Sequence, residues 1–454
     1  MSKIFLITAG LFGLLFLIFT PPFQVPDEQL HFYRAYEISS GVLIEKKTDA
    51  QVGDWLPRSV ERTVTELKGA ISFNPDEKIT ASQIISHMRE PLERGDKVFV
   101  NFPSTAFYSP VGYMPPVLGI SIGKIFNLSP LLLMYLGRLA NLLVWLYLTW
   151  LAIRLAPVGK WIFFLLALTP MILFQAASLS PDALTNGLAW LAIALYLRYA
   201  LSEGEGVAVD RALSAKLIVL GALLALVKPL YFVLAGLFLF IPPRRFSDKR
   251  VYFGFIGGLL AAVATVSAVW SGLVHDLYVP LLPKVSAVDQ ARHILSQPFD
   301  YALTIARSFK TSGIFYLGSF VGRRLGWLDT KLPWLWLLPY YGLLFLAAIW
   351  GDWTDKIIRW RQRILMVLVF LASAVLVMTS MYVTWTPVGE SVIKGVQGRY
   401  AIPVAPLLCF LVYNFCKKLP GRELVRPVLS AVFAAYPAVA LSAALYYVIQ
   451  RYYY

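Results

Sequence analysis

Two uninterrupted apolar stretches, ILMVLVFLASAVLVMTSMYV at 364–383 and VYFGFIGGLLAAVATVSAVW at 251–270, constrain this chain more than any other feature. Each reaches the ~20 residues that a hydrocarbon core of ~30 Å demands of a crossing helix. Lipid offers no partner to a bare N–H or C=O, so such segments fold as helices, whose backbone bonds close internally. Only 15% of residues are charged, against about 25% in soluble domains. The sequence therefore predicts an all-α, polytopic transmembrane protein.

Eleven stretches read as spans: 4–20, 131–153, 161–177, 183–200, 214–228, 229–242, 251–271, 333–350, 364–382, 400–416 and 427–449. The run at 1–20 has the length of a signal peptide, but PPFQVPDE follows it instead of a small-residue cleavage site. It reads as the first membrane helix, with Lys3 inside. The basic connections then fall on one side, as the positive-inside rule requires: Arg154 with Lys160; Arg198, Arg211 and Lys216; 242–250; 356–363; and 416–426. Two segments test this count. Residues 106–126 are apolar but carry Pro110, Pro115 and Pro116, which break a spanning helix, so they read as an interfacial or re-entrant piece. Residues 217–241 read as two short helices meeting at Lys228-Pro229. The result is one membrane domain over 1–454, with helical outer loops at 21–130 and 272–332 and a shorter outer segment at 382–400.

The formal charge of +15 lies mostly in the short loops, where it orients helices. That distribution argues against a nucleic-acid partner, since no basic patch on a soluble domain is visible. Cys409 and Cys416 lie seven residues apart on one expected helix. That is ~10.5 Å of rise, too far for a disulfide, so they read as lipid-facing or core residues.

Four constellations carry candidate chemistry. In PPFQVPDEQLHFYRA (21–35), Asp27, His31 and Arg34 share a helix face at i, i+4 and i+7, with Glu28 adjacent. A carboxylate beside His and Arg at the interface suits a general base near a bound anion. The plainer reading makes Asp27 a helix N-cap. In SLSPDALTN (178–186), Asp182 follows Pro181 at a helix start, again a capping position. VGRRLGWLDTKLPW (321–334) offers Arg323 and Arg324, and ESVIKGVQGRYAIP (390–403) offers Lys394, Gln397 and Arg399. Outer-side cations run against the topological bias, and arginine suits bidentate phosphate recognition, while a headgroup-facing role stands beside it. The four histidines show no metal-ligand spacing, and no Walker loop, GxGxxG or GxSxG is present.

These motifs resemble an uncharacterised bacterial family of predicted polytopic membrane proteins within the GT-C glycosyltransferase superfamily. The resemblance rests on PDEQLHFYRAYEISSG (26–41), YSPVGYMPP (108–116), LSPDALTNG (179–187), LVKPLYF (226–232), GRRLGWLDTKLP (322–333) and WTPVGESVIKGVQGRYAIPVAP (385–406). It implies a GT-C-like fold in a bacterial inner membrane and transfer of a sugar from a polyprenyl-phosphate carrier to an extracytoplasmic glycan or glycolipid. It also implies an acidic base just after the first helix, here Asp27 with Glu28 beside it. Lys228, Arg323, Arg324 and Arg399 are then expected at the phosphate. The donor sugar stays open. So does a divalent cation, because adjacent carboxylates are ligands for one but side-by-side helical residues point apart. The rival expectation is a transporter or flippase for a lipid-linked sugar, for which the Lys228-Pro229 break is the one matching feature.

Overall fold

The computed structural model describes residues 1–49, 51–201, 208–350, 352, 354, 356–415 and 422–454, so Cys416 and most of the basic stretch 416–426 lie outside the described residues. In chain order, the first part contains α1 (Ser2–Phe19), α2 (Glu28–Ile38), strands β1 (Lys46–Thr48) and β2 (Gln51–Pro57), α3 (Arg58–Lys68), α4 (Ala81–Met88), strand β3 (Lys97–Asn101) and α5 (Met114–Ile125). The middle consists of α6 (Pro130–Leu155), α7 (Lys160–Ala167), α8 (Pro170–Ala176), α9 (Asp182–Leu201), α10 (Arg211–Val227), a 3-10 segment (Pro229–Phe240) and α11 (Lys249–Val274). The last part runs through α12 (Ala287–Ser296), α13 (Pro298–Val321), strands β4 (Arg324–Leu325) and β5 (Thr330–Lys331), α14 (Leu338–Trp350), α15 (Trp360–Trp385), α16 (Ala405–Cys409) and α17 (Arg422–Tyr453).

Among the described residues, six helices are long and apolar enough to cross a membrane: α1, α6, α9, α11, α15 and α17. The other expected spans are helical but short or broken. The stretch 161–177 divides into α7 and α8 at Pro170, and the described part of 400–416, up to residue 415, mixes 3-10 turns with α16. Residues 106–126 form a 3-10 turn (Pro110–Tyr113) followed by the twelve residues of α5, too short to cross a membrane.

The all-α expectation is incomplete. β1, β2 and β3 form an antiparallel sheet in the segment between α1 and α6, and β4 pairs with β5 in a small hairpin. The β-branched and aromatic run VFV favours a strand, with the Trp55 and Phe99 rings 5.8 Å apart across the β2–β3 pair. Gly53 is required there, because a Cβ would sit 1.8 Å from the Val100 carbonyl oxygen.

α9 is apolar on all sides and forms the buried centre. α6 packs on it through Gly187 against Leu148, and α1 packs on α6 through Gly13 against Leu142. α11 instead leaves Phe253, Leu260 and Val269 exposed, as a helix bathed in lipid does. α10 and the 3-10 segment form the expected hairpin. Gly221 faces Ala235 across it, residues 209 and 246 bridge at its base, and Lys228 is its tip.

The loops gather at two ends. At one, Asp352 accepts hydrogen bonds from the Lys160 and Trp161 N–H groups, Gln362 Nε2 reaches the Ala200 carbonyl (3.4 Å), and Val209 N reaches the Arg245 carbonyl (2.6 Å). Those are the basic connections. At the other end, Lys47 donates to the Asp276 and Tyr278 carbonyls, and Gly389 N donates to Gln290 Oε1.

Candidate functional site

α1 ends where prolines stop it, and the turn to α2 is organised by one residue that the sequence reading missed. Arg138, midway along α6 and fully buried, donates to the Leu17, Thr20 and Pro21 carbonyls at 3.1, 2.8 and 3.1 Å. It also forms a two-pronged ion pair with Glu28, at 2.8 and 2.5 Å. The same carboxylate accepts from the Phe23 and Leu179 N–H groups at 3.1 and 3.3 Å. Both Glu28 oxygens are thus engaged, and Glu28 is a structural anchor instead of a catalytic group. A charged residue inside a 26-residue apolar helix was the available signal for Arg138.

Asp27 is the opposite case. It occupies the N-cap position of α2 with φ 63°, in the left-handed region, and its side chain makes no cap hydrogen bond. The residue is exposed, its carbonyl accepts from the Leu30 and His31 N–H groups, and its carboxylate has no hydrogen bond or ion pair among the described residues. Non-glycine residues in this conformation are uncommon and gather at functional sites. The cap reading therefore accounts for the position of Asp27 but not for its carboxylate.

Around Asp27 the fold collects four distant motifs. His31 is buried on α2, with Nδ1 2.8 Å from the Tyr113 hydroxyl and its ring 6.3 Å from that of Tyr108. Burial pushes its pKa down to about 4, against the opposing pull of Asp27 and Asp182, so the ring is neutral at physiological pH. Asp182, the first residue of α9, forms an ion pair with Lys228 and accepts from Gln175 Nε2 at 2.7 Å. Lys228 in turn lies 5.9 and 5.4 Å from the Tyr108 and Tyr400 ring centroids. Arg399 is nine-tenths buried and stacks on Tyr400 at 5.5 Å. Its Nε has no hydrogen-bond partner, and no ion pair joins it among the described residues. Asp27, Asp182, Lys228 and Arg399 all act electrostatically on His31. The cluster thus holds one paired cation, one unpaired cation and one exposed carboxylate.

The remaining candidates fall elsewhere. Arg34 is buried between Glu37 (2.6 Å) and Glu45 (3.0 Å), with NH2 donating to the Leu43 carbonyl at 2.7 Å, so it is occupied and does not join Asp27. Arg323 lies over the Trp334 ring and Arg324 over the Phe315 ring, and neither shares a hydrogen bond or ion pair with the cluster. Lys394 pairs with Glu390 at 3.0 Å on an exposed turn. Gln397, two residues before Arg399, is partly buried with its Oε1 unpartnered. Tyr108, Tyr113, Gln175 and Tyr400 belong to the cluster and were not singled out from sequence. For Tyr108 and Tyr113 the signal was the YSPVGYMPP segment itself, whose aromatic residues only the fold brings to His31 and Lys228.

With this arrangement in view, comparison with known families is decisive for membership. The family described as predicted membrane protein (DUF2142) matches residues 11–408, nearly the whole chain and every part of the cluster. The chain belongs to that family. No curated protein and no solved structure matches it. Family membership makes it a membrane protein, in keeping with its six long apolar helices.

Proposed function

We propose that the chain is an inverting membrane glycosyltransferase that moves a sugar from a polyprenyl-phosphate carrier to a glycan or glycolipid outside the cytoplasm, with Asp27 as general base. The observation that carries this reading is the uncapped, exposed Asp27 carboxylate in the same cluster as a buried arginine with an unpartnered Nε. In the proposed step the acceptor hydroxyl oxygen bonds to the anomeric carbon and its proton passes to Asp27. The anomeric C–O bond to phosphate breaks, and the polyprenyl phosphate leaves with the electron pair. Arg399 meets the charge that gathers on the phosphate. Lys228, already neutralised by Asp182, positions Tyr108 and Tyr400 and adds little net charge. Neutral His31 offers a hydrogen bond without competing for the anion. Glu28 has both oxygens taken by Arg138, so the Asp27–Glu28 pair is not built to share a divalent ion.

The resemblance read from the motifs supports this assignment and extends it to a GT-C-like fold of about eleven crossings in a bacterial inner membrane, with the cluster facing outward. The deciding experiment uses purified protein in nanodiscs with a panel of radiolabelled polyprenyl-phosphate sugars. Glycan mass spectrometry of a deletion strain identifies the missing sugar and so the donor. Wild type should transfer label, and Asp27→Asn should fold, retain donor binding and transfer ~10²–10⁴-fold more slowly. Wild-type turnover by folded Asp27→Asn would remove the base and with it the mechanism. A second reading, transport of a lipid-linked sugar, draws on the buried Asp182–Lys228 pair at the tip of a broken hairpin. It requires movement of intact lipid-linked sugar across sealed vesicles with no new covalent product.

A further inference from the structure

In the first outer loop, α3 and α4 face each other across residues 69–80. α4 starts at a capping box made by Thr80 and Gln83, which fixes where its last turn falls. His87 sits in that turn, with its ring largely buried. Its Nδ1 is 2.8 Å from the Gln83 carbonyl oxygen. A carbonyl only accepts, so Nδ1 carries the proton, and in the neutral ring Nε2 presents a bare lone pair. That lone pair points at Glu66 Oε2, 3.0 Å away, and at Glu90 Oε1, 3.8 Å away. Three electron-pair donors from two stretches of the chain converge, each within 4.8 Å of the others.

Donors so placed repel unless a cation lies between them or Nε2 takes a proton. Metal bonds of ~2.1 Å in a tetrahedral site set ligand atoms ~3.4 Å apart, and the two distances from Nε2 bracket that value. The outer oxygen of Glu90 faces elsewhere: Arg62 lies 3.9 Å from Oε2, and the Thr63 hydroxyl gives its proton to the Ser59 carbonyl at 2.8 Å. Oε1 is thereby turned toward His87. A ring N–H given to a backbone carbonyl is the usual way a metal-bound imidazole is oriented. The sequence concealed the site, because its ligands do not follow a local His spacing.

We propose that Glu66, His87 and Glu90 bind one divalent cation of the zinc type and so staple α4 to α3. One imidazole and two carboxylates suit zinc and its first-row neighbours, whereas calcium and magnesium take oxygen ligands alone. The half-exposed Glu66 leaves the fourth position open to water. The staple has a target. Ile84, Ile85 and Met88 of α4 form one wall of an apolar groove of about 670 Å³, whose other walls are α1, α6 and α17. The metal thus sets how α4 lies over a lipid-facing groove. The proposal is independent of the transferase assignment.

The test uses the purified full chain, stripped with a chelator and titrated with Co²⁺, then Zn²⁺ in competition. Wild type should take up one equivalent at micromolar metal, with cobalt absorption in the visible, and hydrogen exchange in α4 should slow. Glu66→Gln, at a half-exposed position that folding tolerates, and His87→Gln should each weaken binding at least tenfold and abolish the exchange effect. Asp76→Asn, an exposed carboxylate on the same loop, should change neither. No uptake at hundreds of micromolar metal overturns the site and leaves the His87 contacts with Glu66 and Glu90 as packing of the loop alone. Uptake that is identical in Glu66→Gln and His87→Gln overturns it as well.

Discussion

Asp27 holds a left-handed backbone without the side-chain bond that would repay it, and that combination makes a test possible at a single residue. An L-residue in this region costs ~1–2 kcal/mol, less for Asp, and glycine removes the cost. Asp27→Gly should therefore melt no lower than wild type, and up to ~1 kcal/mol higher, while sugar transfer falls ~10²–10⁴-fold. A Gly variant with normal turnover would make the conformation a packing accident. Arg399→Ala should lower kcat/KM about ten- to hundredfold, since hydrogen bonds to charged groups contribute roughly 1.5–3 kcal/mol. Arg324→Ala should stay near wild type, because its guanidinium lies over Phe315, away from the cluster. Steady-state kinetics on both variants separates two arginines that sequence alone treated as equivalent. Asp27, His31, Asp182, Lys228 and Arg399 could be read from the chain because each is an ionisable residue at the edge of an apolar run. The engagement of Glu28 and Arg34 could not, because Arg138 lies 110 residues from Glu28 and Glu45 is a single buried side chain in a loop otherwise exposed or half-buried.

At the level of elements, the prolines at 21–22 and at 229 announced a stop and a break, and both occur where expected. Strands β2 and β3, between α1 and α6, were hidden because their five to seven residues show no polar–apolar alternation and so carry no strand period. α2 is tied down at two levels. Below, Glu28 grips Arg138, and Glu28→Gln should show its cost in thermal stability before catalysis, since breaking a buried pair costs ~3–5 kcal/mol. Above, Glu37 and Glu45 share Arg34, with Asp54 and its partner Lys46 next to them. Burial pushes the Glu37 carboxyl up to about 8 and that of Glu45 up to about 7, against the pull of Arg34. Between their ordinary range and these values the folded chain holds more protons than the unfolded one. Stability is then present at low pH and lost as pH rises through 7 to 8. His31 acts in the opposite sense between about 4 and 6.5, and Lys124, pushed down to about 7 by burial, does so above about 7. Melting followed from pH 6.5 to 8.5 should therefore fall more steeply, or rise less, in wild type than in Glu37→Gln, which mimics the protonated form. An unchanged slope in the variant would place the titration elsewhere.

For the whole molecule, the gathering of basic loops at one end and of the long loops at the other gives a labelling prediction. In a background without Cys409 and Cys416, cysteines at Asp76 and Asp289, both exposed, should react with impermeant reagents from outside intact cells. One at Ser247, exposed at the base of the hairpin, should not. Outside labelling of 247 would invert the hairpin and carry Lys228 away from the outer face. The Arg138 knot has a consequence at this scale. It fastens the last carbonyls of α1 to Glu28, the immediate neighbour of Asp27. The eighteen residues of α1 rise about 27 Å, a little short of a typical hydrocarbon core, so a thin bilayer lets the helix lean and a thick one draws it upright. Any such lean is passed through the knot to the proposed base, so acyl-chain length in the surrounding lipid becomes a setting of the reaction centre.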